Sequence, residues 1–287
     1  MMQRPPIISV DVEDWKQSTW DRRLPISERS ARNTDTVLEV LERAGVHATM
    51  FVLGKFAEAY PGAVRNIHAA GHEIACHGFG HEEIFHQSPE AFREDVRRAK
   101  GTLEDISGVR VVGYRAPDFS IVRGTLWALE ELAALGFEYD SSIFPIRHAR
   151  YGIEDWPLFP TEVKLESGQS IIELPIATLD LFGRRLPVGG GGYHRLLPGA
   201  VARLAAAAVM RDNDFMFYCH PYEFDPQELW DTSLPIPLKV RLHQGLGRGR
   251  FEARLRAFIK RFGGVSAATA MAGRALPTVR VGYYLTA

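Results

Sequence analysis

Short apolar runs that end in polar residues alternate with helix-forming stretches along most of this chain, and this alternation limits the fold more than any other feature. Pro6 to Val12 is apolar and β-branched, then breaks into the acids Asp11, Glu13 and Asp14. Comparable runs fill residues 48–53, 73–76, 109–114, 137–139 and 215–219; each reads as a buried strand. Between them, Val37, Leu38, Leu41 and Ala44 share one helical face, with Asn33 as the expected N-cap and Gly45 as the stop. Another helix opens at Pro61 and stops at Gly71. Ser88-Pro89 is a cap followed by proline at the first helical position, and Phe92, Val96, Ala99, Leu103 and Ile106 then form one apolar stripe. Residues 126–135 and 198–210 read as two further helices.

Strands alternating with helices predict a mostly parallel sheet under a helical cover. The number of units favours an α/β fold of the distorted (β/α) barrel type, seven-stranded and incompletely closed. It is expected as a single domain over residues 1–287, with an irregular insertion, or an irregular part of the barrel, around residues 147–192. That stretch holds Trp156-Pro157, Phe159-Pro160 and the run Gly189 to Gly192, which reads as a flexible loop. It is expected to wall a substrate groove. In such barrels chemistry gathers at the C-terminal ends of the strands, where the polar residues of this chain cluster.

His77-Gly-Phe-Gly-His81 places two imidazoles four residues apart, with glycines that let the backbone turn so that both reach one metal ion. Asp11-Val-Glu-Asp14 crowds three carboxylates whose mutual repulsion a divalent cation relieves. Residues 11 and 13 share a strand face, and Asp14 joins them only if the chain bends. His220-Pro221 holds an imidazole on extended backbone, and Arg115-Ala-Pro117 offers a guanidinium to orient a carboxylate. Taken singly, each also reads as a loop or surface residue. Jointly they supply metal ligands, a carboxylate to deprotonate water and an acid for a departing amine, the parts of metal-assisted hydrolysis.

In this order along the chain, together with Asp140-Ser-Ser142, these motifs resemble the polysaccharide deacetylases, the NodB-homology group called carbohydrate esterase family 4. The resemblance implies a hydrolase of linear amide bonds that removes acetyl from an N-acetylated sugar with a divalent metal, most often Zn2+. By carry-over, Asp11 is the general base, held by Arg115. His77 and His81 are metal ligands, and Glu13 or Asp14 completes the set. His220 is the general acid, with Asp140 tuning its charge, and a backbone N–H after Pro117 joins the metal in stabilising the oxyanion. Val12 stands where many members carry a second adjacent aspartate, so the third ligand stays open between Glu13 and Asp14. Gly190-Gly-Gly-Tyr193, Arg195-Leu-Leu-Pro198 and the opening Val-Asp-Val-Glu-Asp-Trp15 further resemble deacetylases encoded with exopolysaccharide and exosortase systems.

A formal net charge of −1 argues against a nucleic-acid partner. The N-terminal residues lack a signal-peptide pattern, no apolar run reaches transmembrane length, and only Cys76 and Cys219 are present; these point to a cytoplasmic protein. Both cysteines precede motif histidines, and strand alternation turns them towards the core. Trp15, Trp20, Trp156 and Tyr193 serve either as sugar-stacking aromatics or as packing. Lys239 to Arg261 carries eight Lys or Arg against one acid, Glu252. It is either a solvated face or a contact for a carrier lipid or membrane surface. The rival expectations are an allantoinase-like or deformylase-like amidohydrolase on the same scaffold, and a carbohydrate-binding relative without catalysis.

Overall fold

A computed structural model describes residues 4–285. The strands are β1 (Ile7–Val12), β2 (Thr49–Val52), β3 (Glu73–Cys76), β4 (Gly113–Tyr114), β5 (Tyr139–Asp140), β6 (Thr161–Lys164), β7 (Ser170–Glu173), β8 (Thr178–Leu181), β9 (Arg184–Pro187), β10 (Met216–Cys219) and β11 (Thr278–Arg280). The main sheet runs β10-β1-β2-β3-β4-β5-β7-β6-β11, and β8-β9 form a separate hairpin. From β10 to β7 seven strands pair in parallel; β6 is antiparallel to β7. Among the described residues no ladder joins the two ends of this seven-strand run. Single hydrogen bonds tie β10 to segments that follow β7, from Ala177 N to Met216 O (3.2 Å) and from Tyr218 N to Gly189 O (2.9 Å). The fold is the expected mostly parallel, barrel-like α/β architecture.

Side-chain alternation sorts the two faces of β1. Ile8, Val10 and Val12 pack with Val37, Leu41, Phe92, Val96 and Phe258 of the surrounding helices. Ile7 joins Phe51, Ala75, Tyr139 and Met216 in the smaller inner cluster, so Ser9 and Asp11 face inward as well. Cys76 and Cys219 lie on the helical side, buried and unpaired, as alternation required.

Register aligns the strand ends. Val12 pairs with Val52, Val52 with Cys76, Cys76 with Tyr114, and Tyr114 with Asp140, while Val10 pairs with Cys219. The next residues, Glu13, His77, Arg115, Ser141 and His220, therefore leave the sheet on one rim.

Two local expectations fail for identifiable reasons. The first long helix is Glu28–Ala44 with N-cap Ser27, so Asn33 is an interior, buried residue and not its cap. The apolar periodicity had marked the start of the buried stripe, five residues into the helix. The stretch around residues 147–192 supplies β7 and so is part of the barrel, but its glycines, expected as a flexible loop, are not slack. A Cβ on Gly189 would collide with Met216 O, and one on Gly191 would stand 2.5 Å from a Glu223 oxygen. The glycine run lets the backbone lie flat against β10.

Candidate active site

A cavity of about 400 Å³ opens above the rim, lined by Asp11, Glu13, His77, His81, Tyr218 and His220 among others. Asp11 is buried and its Oδ1 accepts from Arg115 Nη1 at 2.7 Å. Arg115 is fully buried too. It also donates to Ser9 Oγ (2.8 Å), Ser141 O (3.0 Å) and Ser141 Oγ (2.9 Å), with its guanidinium 4.1 Å from the centre of the Phe51 ring. A fixed planar cation thus sets the orientation of one carboxylate.

Glu13, two residues on and on the same face, meets the histidine pair. His81 Nε2 lies 2.7 Å and His77 Nε2 3.5 Å from Glu13 Oε2. Donor atoms of Glu13, His77 and His81 all fall within 4.8 Å of one another. His77 Nδ1 sits 2.8 Å from Arg115 O; donating there leaves Nε2 as the lone-pair nitrogen that faces the cavity. Glu13 Oε2 is buried and finds no hydrogen bond of acceptable geometry. Three converging donors with an orphaned carboxylate oxygen fit a divalent ion of the N/O-binding kind. Burial would raise the Glu13 pKa, but the His81 charge and the close approach of both imidazoles outweigh it and hold it well below the usual carboxylate range.

The turn that delivers the imidazoles is built locally. Gly78 has φ 73°, which favours glycine. Asp95 Oδ2 accepts from Phe79 N (2.8 Å), and Gly78 O and Phe79 O accept from Gly54 N and Lys55 N (both 2.9 Å). His81, Asp118 and Phe119 all have φ between 52° and 63° and all line the cavity. Left-handed backbone in such residues costs on the order of 1 kcal/mol each, strain that here collects at the site.

Asp14 does not join the histidines. Its Oδ1 accepts from Lys16 N (2.7 Å) and its Oδ2 from Ser27 N (2.5 Å), so it ties the loop after β1 to the start of the first long helix. Asp140 does not reach His220 either. Its oxygens accept from Ser142 Oγ (2.5 Å) and Ser142 N (3.2 Å). The acid beside His220 is Glu223, whose Oε1 lies 3.0 Å from His220 Nδ1, with Oε2 bonded to Arg195 Nε at 2.7 Å. Burial lowers the His220 pKa, but the Glu223 bond and the charges of Glu13, Glu223 and Asp11 overcome it and push it up to about 9. His220 Nε2 stands 3.9 Å from Asp11 Oδ2 and 3.8 Å from Glu13 Oε1, and its ring stacks on Tyr222 at 4.7 Å.

Sequence reasoning missed Glu223 as a site residue. Its signal was present: proline follows His220 and an acid stands three positions on, the pattern that folds one turn back onto the residue before it. Trp15 and Trp156 are core residues, Trp20 borders a neighbouring cleft, and Tyr193 lines the cavity.

Residues 18–139 match the family model described as polysaccharide deacetylase. Residues 18–139 thus form a polysaccharide deacetylase domain. Residues 141–272 match a second model, described as a domain of unknown function (DUF3473). The peptidoglycan deacetylase-like protein FGM2 of Gibberella zeae is 30% identical over 148 residues, covering 48% of this chain and 43% of that protein. YheN of Bacillus subtilis, described as a polysaccharide deacetylase, is 29% identical over 144 residues, 47% of this chain and 51% of that one. The chain thus spans about half the length of these curated relatives. A solved structure from Mycobacterium smegmatis, also described as a polysaccharide deacetylase, covers 97% of this chain and 89% of its own, with a TM-score of 0.60 at 21% identity; it supports the fold. Within the deacetylase domain lie His77, His81 and Arg115. Asp11 and Glu13 precede the matched segment, and Arg195, His220 and Glu223 come from the second, so the cavity needs all three parts of the chain.

Proposed function

We propose that this protein hydrolyses the acetamide of an N-acetylated sugar and releases acetate. The observation that carries the reading is the gathering of Asp11, Glu13, His77, His81 and His220 round one cavity. Glu13, His77 and His81 are the residues that would hold a divalent ion, with zinc the choice their donor set favours. When bound, that ion supplies Lewis-acid polarisation of the amide carbonyl.

The chain's own groups supply the proton traffic. Asp11, held on one oxygen by Arg115, keeps Oδ2 free to take a proton from the attacking water. His220, charged at neutral pH because its pKa is raised to about 9, delivers a proton to the amine nitrogen as the C–N bond breaks. Glu223 and Arg195 keep that imidazole oriented, as a carboxylate does for a catalytic histidine generally. Phe119, Tyr151, Tyr193 and Tyr222 line the cavity and offer faces against which a sugar ring can stack.

The finer features belong to the same proposal: a cytoplasmic setting, a glycan of exopolysaccharide assembly, and a carrier-linked substrate. No helix among the described residues is long and apolar enough to cross a membrane. Within the basic segment, Arg248 pairs with buried Glu228, Arg254 donates to three backbone carbonyls, Arg241 is tied to carbonyls and Arg256 meets Glu252. Carrier contact therefore falls to the exposed Lys239, Arg250, Lys260 and Arg261, the first two in the same stretch as the exposed Leu238, Leu242 and Leu246. The deciding experiment is acetate release from N-acetylglucosamine oligomers by purified protein, before and after chelation and zinc return. Zinc-restored acetate supports the reading; formate release, ureide opening or no turnover refutes it.

A further inference from the structure

Two buried carboxyl groups beneath the cavity touch neither the histidines nor the pocket. Asp140 ends β5, and Glu173, its neighbour in register, ends β7. Both are fully buried. Glu173 Oε1 accepts from Ile143 N at 2.9 Å, while Oε2 accepts nothing. Both Asp140 oxygens are occupied by Ser142, at Oγ and N. Burial and the adjoining Asp140 charge push the Glu173 carboxyl well above the usual range, and the oxygen without a donor has room to hold a proton beside Asp140. Two charges side by side in such a place would be costly, and one shared proton removes that cost.

The turn between these acids leads straight to the guanidinium. Ser142 Oγ donates to Asp140 and accepts from Ala116 N (2.7 Å), the residue after Arg115. Ser141 gives its carbonyl and its hydroxyl to Arg115, and its own hydroxyl donates to Leu174 O (2.8 Å), the residue after Glu173. Leu174 N returns to Asp140 O at 2.8 Å.

We propose that Glu173 is a positioning residue: with Asp140 it forms a proton-sharing carboxyl pair that locks the Ser141–Ser142 turn, and that turn locks Arg115 and, through it, Asp11. Asp140 thus serves the base side of the cavity. This inference rests on Asp11 being the base, as proposed above.

Glu173→Gln separates positioning from mere bulk. Its amide nitrogen can donate to Asp140 while its oxygen still accepts from Ile143 N, so kcat for acetate release should stay close to wild type. Glu173→Ala removes the donor and should lower kcat by about 100-fold with KM little changed, the scale of a sub-ångström to ångström misplacement of a reacting group. Ser142→Ala, which cuts the link and leaves the pair, should reproduce the loss and serves if Glu173→Ala fails to fold. Wild-type kcat in Ser142→Ala, or equal damage from Gln and Ala, would overturn the proposal. An infrared band of a protonated carboxyl at neutral pH, present in wild type and absent from Glu173→Gln, tests the pair without reference to turnover. Its absence from wild type overturns the pair. A wild-type protein that shows the band yet releases no acetate sinks the deacetylase reading instead, and the position of Arg115 in a crystal structure of Ser142→Ala then decides the lock.

Discussion

The cavity holds imidazoles in two settings. His77 and His81 converge on a single carboxylate, Glu13, with His77 anchored through Nδ1 to a backbone carbonyl. His220 turns Nδ1 to Glu223, a carboxylate that Arg195 grips from behind, and presents Nε2 to the space beside Asp11. The first arrangement gathers lone pairs at a point; the second stabilises an imidazolium. The same side chain is thus directed to two tasks by what stands behind it, and the contrast can be attacked from either side.

The largest effect belongs to the first setting. His81→Ala should cost about 10³-fold in acetate release, on the order of 4 kcal/mol of transition-state stabilisation, and should abolish zinc binding. If turnover persists with zinc lost, the two settings have been assigned the wrong way round. His220→Ala should lower kcat by about 10²–10⁴-fold with zinc content unchanged, and metal analysis of the purified variant separates the two outcomes.

Glu223→Gln sharpens the comparison through pH. The His220 pKa is raised to about 9 in the folded chain, so the acid form persists below that value. The stability this pairing contributes is full below the ordinary histidine pKa of about 6.5 and fades as pH rises through about 9. Loss of the Glu223 charge should draw the alkaline limb of the pH–rate profile downwards, so that the variant is close to wild type at pH 6 and much slower at pH 8. An unmoved limb would mean that Glu223 does not set the proton affinity of His220. The smallest effect on turnover is expected of Asp14→Ala. It removes two charge-assisted bonds to backbone, each worth about 1.5–3 kcal/mol. It should therefore lower Tm by several degrees while zinc content and kcat hold, readable by calorimetry and steady-state assay.

How far the sequence reached follows the same division. Asp11 lies in, and His77 and Arg115 directly follow, strands whose apolar runs are plain in the chain, His81 comes on the turn after His77, and period-two alternation puts residues 11 and 13 on one face. The choice between Glu13 and Asp14 was not legible, because it turns on where the Ser27 amide returns after a loop, a tertiary contact without local pattern. Asp140 was misread because a strand-end acid looks the same whether it faces the cavity or lies beside Glu173 under it. β7 escaped notice because its four residues sit among prolines and glycines, and the glycine run looked slack when close approach to β10 was its reason.

Zinc binding to wild type, Glu13→Gln and Asp14→Asn, followed by titration calorimetry, tests most directly whether one ion sits among Glu13, His77 and His81. One ion per wild-type chain, binding weakened at least about 100-fold in Glu13→Gln and unaltered in Asp14→Asn, is expected. Wild-type affinity in Glu13→Gln, or loss confined to Asp14→Asn, would show that the ion does not sit where these three side chains converge.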